Sequence, residues 1–347
     1  MNNISTTTID PTAVKINIVS AGILQYGGPS LFILGMIGCI LNIIIFFQPL
    51  MRKNSCAIYF HANSWANLFS LSWGLLADTL TFFTHNDPAT YNDIYCKIRF
   101  FMIDFSQYSS RAFLVLACLD RFLLCSISVR QRQFCRPIIA KKMIVLGLFF
   151  CACISIYVLI TYRPHQTIRP CMVATEAGFI YESIGIPIFN ALLPALSMSI
   201  LGWLTVKRLK ENAKRVGREK IRVDGKDNQL VIMLIAQVVL FLVTNIPFVG
   251  LILYLQFTEN IPILSKSPDR IAIEALSAIV FATVFPYGFN GWSFFVYTLT
   301  APSFRHEFIM IFPRSCLCKT PHNNDQHART HTSRIHPTNQ NIASINL

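Results

Sequence analysis

Charge is scarce in this chain. Of its 347 residues only 14% are Asp, Glu, Lys or Arg and 53% are hydrophobic, whereas about a quarter of a soluble globular domain is charged. Five stretches hold no charged residue at all: Pro29 to Leu50, Met143 to Tyr162, Ser183 to Val206, Gln229 to Phe257 and Ala275 to Thr300. The gaps between apolar runs are too narrow for a separate soluble domain, so a water-soluble enzyme of this length is excluded. Enzyme signatures are missing as well. There is no His-Glu-x-x-His run, no Gly-x-Ser-x-Gly and no glycine-rich phosphate loop, and no cofactor is expected. The first 28 residues lack a basic region followed by a short apolar core and a small-residue cleavage site. No cleaved signal peptide is therefore expected, and the first span would direct insertion.

Each uncharged stretch reaches the roughly 20 residues that cross a bilayer core as a helix. Two further apolar stretches carry a few charges: Ala57 to Phe83, with Asp78 alone, and Cys96 to Ser126, with Asp104 and Arg111 inside. The expected fold is an all-α integral membrane protein, a bundle of seven transmembrane helices. Basic residues in short loops mark the cytoplasmic side. The first, third and fifth loops and the tail hold 21 of the 30 Lys and Arg, against seven on the opposite side. The N-terminus is thus expected outside, the C-terminus in the cytoplasm, and the chain in the plasma membrane. The formal charge of +13 then reports topology and attraction to anionic inner-leaflet lipid, and no nucleic-acid partner is expected. The expected organisation is an extracellular segment 1–28, a seven-span domain 29–312, and a cytoplasmic tail 313–347.

Eleven cysteines look like many until they are placed on this topology. Cys39, Cys118, Cys151 and Cys153 fall within spans, and Cys56, Cys125, Cys135, Cys316 and Cys318 at or beyond the reducing side. Only Cys96 and Cys171 remain on the oxidising side. A bond between them would pin the loop after the fourth span across the mouth of the bundle; two free thiols are the alternative. Asn3-Ile4-Ser5 fits the glycosylation sequon on the outer side.

Several motifs occur in order along the spans. Asn42 lies in Gly38-Cys39-Ile40-Leu41-Asn42, Asp120-Arg121-Phe122 closes the third span, and Cys96 lies 25 residues before Arg121. Pro194 and Pro247 interrupt the fifth and sixth spans, Phe241 precedes Pro247 by six, and Tyr297 is followed seven residues later by Phe304-Arg305. Taken together, over residues 29 to about 312, the chain resembles the rhodopsin-like G-protein-coupled receptors, as a divergent member. Departures from that pattern are Asn67 for the second-span aspartate, Phe122 for the tyrosine of Asp-Arg-Tyr, and Thr244-Asn245-Ile246-Pro247 for Cys-Trp-x-Pro. The seventh span reads Ser293-Phe294-Phe295-Val296-Tyr297 for Asn-Pro-x-x-Tyr, and Gly202 stands at the fifth-span tyrosine position. They put a bound sodium ion and the tryptophan toggle in doubt.

The resemblance implies a receptor that passes an extracellular signal to a heterotrimeric G protein by helix rearrangement. It assigns Asp120, Arg121 and Tyr297 to the switch, with Asp227, 20 residues before Pro247, as the acidic partner of Arg121 at rest. Snorkelling of Arg121 to headgroups is the alternative. Arg111 lies ten residues further into the membrane, about 15 Å along a helix, where a charge costs on the order of 3 kcal/mol on the mildest insertion scale. Asp104 and Gln107 on the same helix, with Asp78 or Asn245 from neighbouring spans, are its expected company. Two readings fit this group: the polar floor of a ligand cavity, or a cluster that fixes helix packing. Asp104 is one residue away from Ile103, the position matching the amine-binding aspartate of similar receptors, so a peptide or peptide-like ligand is favoured over an amine. Glu182, Glu274 and Asp269 on the outer rim and Phe285 and Tyr287 in the seventh span complete the candidates, against a merely solvated rim and ordinary packing.

On the inner side, the loop from Lys207 to Lys226 is basic, and both G-protein contact and lipid attraction explain its charges. Phe304, Phe308, Ile311 and Phe312 recur at helical spacing after Pro302, which predicts a short amphipathic helix over 302–312 lying in the membrane surface. Cys316 and Cys318 just beyond it are expected palmitoylation sites. The tail is rich in Asn, His, Thr and Ser and reads as disordered, with Thr320, Thr330, Thr332 and Ser333 as targets for a kinase and arrestin. Its histidines lack the fixed geometry a metal needs. A polytopic transporter or channel is the competing reading, with Arg111 and Asp104 marking an ion path, but no internal repeat of the transporter kind is seen.

Overall fold

The computed structural model describes residues 11–49, 51–164, 171–215, 226–258, 261–262 and 265–311. The expectations for Asn3, Cys316, Cys318 and the tail, and for the side chain of Asp227, fall outside these residues. Among the described residues seven long helical rods follow one another: α1 (Pro11–Phe47), α2 (55–84), α3 (Asp93–Leu124), α4 (Pro137–Thr161), α5 (176–215), α6 (Lys226–Thr258) and α7 (268–300). A shorter helix, α8 (Pro302–Ile311), comes after α7. Five of the rods are apolar enough to cross a bilayer on length and composition alone. The other two, α2 and α3, are the rods on which polar residues are concentrated and buried. α3 packs on α2, α4 and α5, so its polar groups face protein. α4 shows the opposite pattern, with Val145, Leu146, Phe149, Phe150, Ile156 and Ile160 all exposed where lipid would cover them.

The first rod departs from the sequence expectation. It begins at Pro11 rather than at residue 29, so most of the segment expected as an outer tail is helical. Lys15 is the one charge between 11 and 28, and the potential breaker Pro29 follows a turn of wider π-type winding at Ile23–Gly27. Pro29 lacks the N–H that an α-ladder needs, and the widened turn shifts the ladder to admit it. At 37 residues the rod is about 55 Å long, well beyond the roughly 30 Å hydrocarbon core. Its outer part packs on the first turns of α7.

Wide turns recur at Leu71–Leu75 in α2, Tyr181–Gly185 and Pro187–Leu192 in α5, and Ala278–Val284 in α7. All lie in outer halves of spans. Those in α5 and α7 stand directly before Pro194 and Pro286. α6 instead keeps Pro247 inside a helix, which removes one backbone hydrogen bond and leaves a weak point for bending.

Close approach of α1 and α7 depends on small residues. A Cβ on Gly35 would lie 3.1 Å from Gly291 Cα, and one on Gly38 3.0 Å from Phe294 Cβ, so the two backbones touch as small-residue helix pairs do in membranes. At the inner end Phe46, Phe60, Tyr297 and Phe304 stack with centroids 5.1–5.8 Å apart, anchoring α8 beneath α1 and α7.

The loop after α4, expected on the outer side, forms an antiparallel hairpin of β1 (Tyr162–Pro164) and β2 (Cys171–Val173), with Pro164 opposite Cys171. Cys171 is disulfide-bonded to Cys96 in the first turn of α3, the pairing that the topology left as one of two options. The bond is buried with Ala89, Val158 and Tyr162. Peptide mapping of the oxidised protein should recover the Cys96–Cys171 pair. Cys96→Ser should destabilise the bundle by about 2–5 kcal/mol, read as a lower Tm in detergent; an unchanged Tm would show that the hairpin holds without its staple.

Candidate functional site

The inner end of α3 places Arg121 where water cannot reach it: its side chain is 1% exposed. Its Nε and Nη2 donate to Asp120 Oδ2 at 3.1 and 2.5 Å, and Nη2 also reaches Asn54 Oδ1 at 3.1 Å and Ser55 Oγ at 3.4 Å. Asn54 caps α2, accepting from Cys56 N–H at 3.0 Å, so the arginine is tied to the start of α2. The neighbouring Phe122 is covered by Arg208 of α5, whose guanidinium stands 3.7 Å over the ring and donates to Phe122 O at 3.1 Å. Asn212 Nδ2 donates to Cys125 O at 3.0 Å. The base of α6 is held elsewhere, for Ser303 N–H at the start of α8 donates to Gln229 Oε1 at 2.8 Å. Neither Arg208 nor Gln229 was legible as a site residue, because each bonds a backbone group distant in sequence.

Midway through the bundle a layer of amides and hydroxyls joins four rods. Asn42 Nδ2 donates to Ser293 Oγ at 3.2 Å, and Asn290 Nδ2 to Ser70 Oγ at 2.9 Å. Ser110 Oγ lies 2.8 Å from Asn63 Oδ1 and 2.7 Å from Asn67 Oδ1. A hydroxyl has one proton, so one of these two amides must turn its NH2 toward Ser110 Oγ. Asn42, Asn67 and Ser293 were visible as family positions. Asn63, Ser70, Ser110 and Asn290 were not, although Asn63, Asn67 and Ser70 share one helical face.

Above this layer the expected company of Arg111 assembles only in part. Arg111 is 1% exposed. Its Nη1 donates to the backbone Gln107 O at 3.1 Å and its guanidinium stands 5.6 Å from the Phe289 ring of α7. Its Nε and Nη2 find no hydrogen-bond partner among the described residues. Asp78 is engaged instead by Arg99 Nη2 at 2.6 Å, with Asp87 on Arg99 Nη1 at 2.9 Å. Arg99 precedes Arg111 by three helical turns, about 18 Å, so Asp78 lies at the outer rim and cannot reach the floor. Asn245 turns onto its own helix, donating to Phe241 O at 2.9 Å, as short amides in helices do. Asp104 accepts from Tyr157 Oη at 2.8 Å. Gln107 does stay close, and its Oε1 accepts from Asn190 Nδ2 of α5 at 3.1 Å.

Tyrosines cluster between rim and floor. Tyr162 Oη donates to Glu182 Oε1 at 3.0 Å, Tyr157 and Tyr181 pack at 4.2 Å between centroids, and Tyr108 and Tyr181 hydroxyls lie 3.4 Å apart. Tyr287 is buried, its hydroxyl filling the notch left by the missing side chain of Gly74. Its place is a packing requirement: a Cβ at position 74 would displace the ring. At the rim Glu274 binds Lys266 at 2.7 Å and Arg270 at 3.0 Å.

The arrangement offers no nucleophile with a base and no group of three or more His, Cys, Asp or Glu able to hold a metal among the described residues. What it offers is a polar, aromatic cluster above a buried cation, and a closed inner face around a second one.

Comparison with known proteins agrees with this geometry. A family model described as 7 transmembrane receptor (rhodopsin family) matches residues 38–286. The B2 bradykinin receptor of Sus scrofa is 23% identical over 291 residues, covering 80% of this chain and 77% of that protein. The B2 bradykinin receptor of Mus musculus is 20% identical over 289 residues, covering 80% and 72%. The transporter or channel reading finds no support there, and an enzyme is excluded by the family matched. The matched segment takes in most of the seven rods and the third-span arginine, so the chain belongs to the rhodopsin family of seven-transmembrane receptors.

Proposed function

We propose that the protein is a peptide receptor of the plasma membrane, with its N-terminus outside, that couples to a heterotrimeric G protein through the inner ends of α3, α5 and α6. The observation that carries this reading is Arg121, a buried guanidinium at the inner end of α3 held by Asp120 and the cap of α2. A charge kept under cover at the cytoplasmic edge is a group ready to be released. The similarity to two peptide receptors favours a peptide, as does a cluster of tyrosines and carboxylates beside a stapled hairpin. The basic residues of the inner loops support the orientation.

The rest of the switch follows from contacts. Phe289 touches Arg111 on one side at 5.6 Å and Phe241 of α6 on the other at 5.2 Å. A ligand that draws Arg111 outward would shift Phe289, release Phe241, and let α6 swing about Pro247. This stack takes the place of the tryptophan toggle that Asn245 lacks. In our reading Asp227 completes the resting lock on Arg121, Tyr297 joins the inner rearrangement, and the hydroxyls of the tail take phosphate from a kinase and recruit arrestin. Asn3 carries glycan and Cys316 and Cys318 carry palmitate.

A G-protein dissociation assay in cells, screened with peptide and amine libraries and with bradykinin itself, tests the reading directly. A peptide should be the activating ligand, and Arg121→Ala should abolish the response at unchanged surface expression. A signal of wild-type size from that variant would remove Arg121 from coupling.

Freeing α6 should raise the ligand-independent signal. Gln229→Ala removes the bond to α8 and Asp227→Ala the proposed lock, and each is expected to increase basal output severalfold. A flat baseline in both would mean that α6 is held by packing alone.

Arg111→Met separates the two readings of the cavity floor. Arg111 has no ion-pair partner among the described residues, so replacing it by an apolar side chain of similar length removes the desolvation cost of its charge, and Tm should hold or rise while peptide potency falls at least tenfold. A lowered Tm with intact potency would make Arg111 a packing residue.

A further inference from the structure

Between Leu230 and Val243 the sixth span is apolar at every position except one, Gln237. An amide carried into hydrocarbon has to find its hydrogen bonds inside the protein, and this one does not face lipid. Val239, Val243 and Ile246 occupy the exposed side of α6, whereas Gln237 is 1% exposed and falls on the buried stripe of Leu230, Met233, Leu234 and Phe241. Neither its Oε1 nor its Nε2 has a hydrogen-bond partner among the described residues. Thr244 and Asn245, also buried on α6, are provided for differently, since each donates to its own helix, to Leu240 O and Phe241 O respectively, both at 2.9 Å. Gln237 makes no such bond.

Its height in the bundle follows from one contact. Phe241 meets Phe289 of α7 at 5.2 Å between centroids, and α6 and α7 run in opposite directions, so one turn further inward Gln237 stands level with Ser293. Ser293 belongs to the layer of amides and hydroxyls that ties α1, α2, α3 and α7 together. Asn42, Asn63, Asn67 and Asn290 each commit one amide atom to that layer. Gln237 commits neither, and α6 passes the layer without joining it.

An unpaired amide held in the interior charges the packed state with the desolvation of both its polar ends. That cost lasts only while α6 lies against the bundle. Gln237 is ten residues inward of Pro247, about 15 Å along the helix, on the arm that moves when α6 bends there, and the movement opens it to cytoplasmic water. We propose that Gln237 is a positioning residue that biases α6 toward release, because its unpaired amide raises the free energy of the resting arrangement alone. This inference rests on the coupling reading above, in which α6 swings about Pro247. Gln237 acts against the bond from Ser303 N–H to Gln229, so two glutamines two to three turns apart on one helix oppose each other in setting the resting population. A penalty of this kind shifts a two-state equilibrium by about tenfold.

Gln237→Met keeps the length of the side chain and removes the amide. In the full-length receptor without ligand it should raise Tm in detergent, slow hydrogen exchange of the α6 amides 229–240 by up to about tenfold, and lower basal G-protein dissociation by a similar factor. The basal signal is read in the Gln229→Ala background, where it is expected to be raised. Gln237→Glu buries a costlier group and should move all three readings the other way. Val243→Met, on the exposed face, should move none of them. The proposal is overturned if Gln237→Met lowers Tm or leaves exchange unchanged, since either result would mean that the amide is satisfied at rest, for instance through a bridging water. It is overturned also if the Met and Glu variants act in the same direction, the mark of a position that only packs. Tm and exchange are measured on purified receptor with no G protein present. They decide the role of Gln237 even where the wild type gives no coupling signal, an outcome that would count against the coupling reading instead.

Discussion

Hydrocarbon offers no hydrogen bonds, so every polar group carried into the bilayer has to find its partner inside the protein. In this chain α3 bears most of that requirement. It brings Arg111, Ser110, Asp120 and Arg121 into the interior, all at or below 5% exposure, and the remaining rods are arranged to meet them. Asn63 and Asn67 of α2 close on Ser110, Asn54 and Ser55 on Arg121, and Phe289 of α7 on Arg111. The helix that would cross a membrane least readily alone is therefore the one around which the bundle is built.

The two ends of the molecule are held differently. Outside, a disulfide, a hairpin and the Asp78–Arg99–Asp87 clamp fix the rim. Inside, the closures are single side-chain contacts: Arg208 on Phe122, Asn212 on Cys125 O, Gln229 on Ser303 N–H. A hydrogen bond of that sort contributes about 1 kcal/mol net, which a binding event can match. Such an asymmetry suits a receptor in which the outer face recognises and the inner face rearranges. The wide turns in α1, α2, α5 and α7 rotate the helix faces that follow them, so local winding as well as side chains sets which residues face the interior.

Length of uncharged runs makes the span number legible, because the bilayer imposes it from outside the protein. The pairing of Cys96 with Cys171 was within reach for the same reason, since topology leaves few thiols on one side. What could not be read was the partner of each buried polar residue. Asp78, Asp104 and Asn245 were all plausible company for Arg111 on sequence spacing, yet each is taken by a nearer group: Arg99, Tyr157 and the Phe241 carbonyl. Spacing along one helix gives a face and a depth. It does not give which neighbouring helix stands opposite, nor at what rotation.

The sequence by itself therefore determined a seven-span receptor and the depth of its two interior arginines, since these depend on the chain's own transfer into lipid. Only the tertiary structure decided that α1 starts at Pro11, that Tyr287 needs the notch at Gly74, and that Phe289 links Arg111 to α6. Those depend on close contacts between helices, where a rotation of one residue, about 100°, exchanges one partner for another.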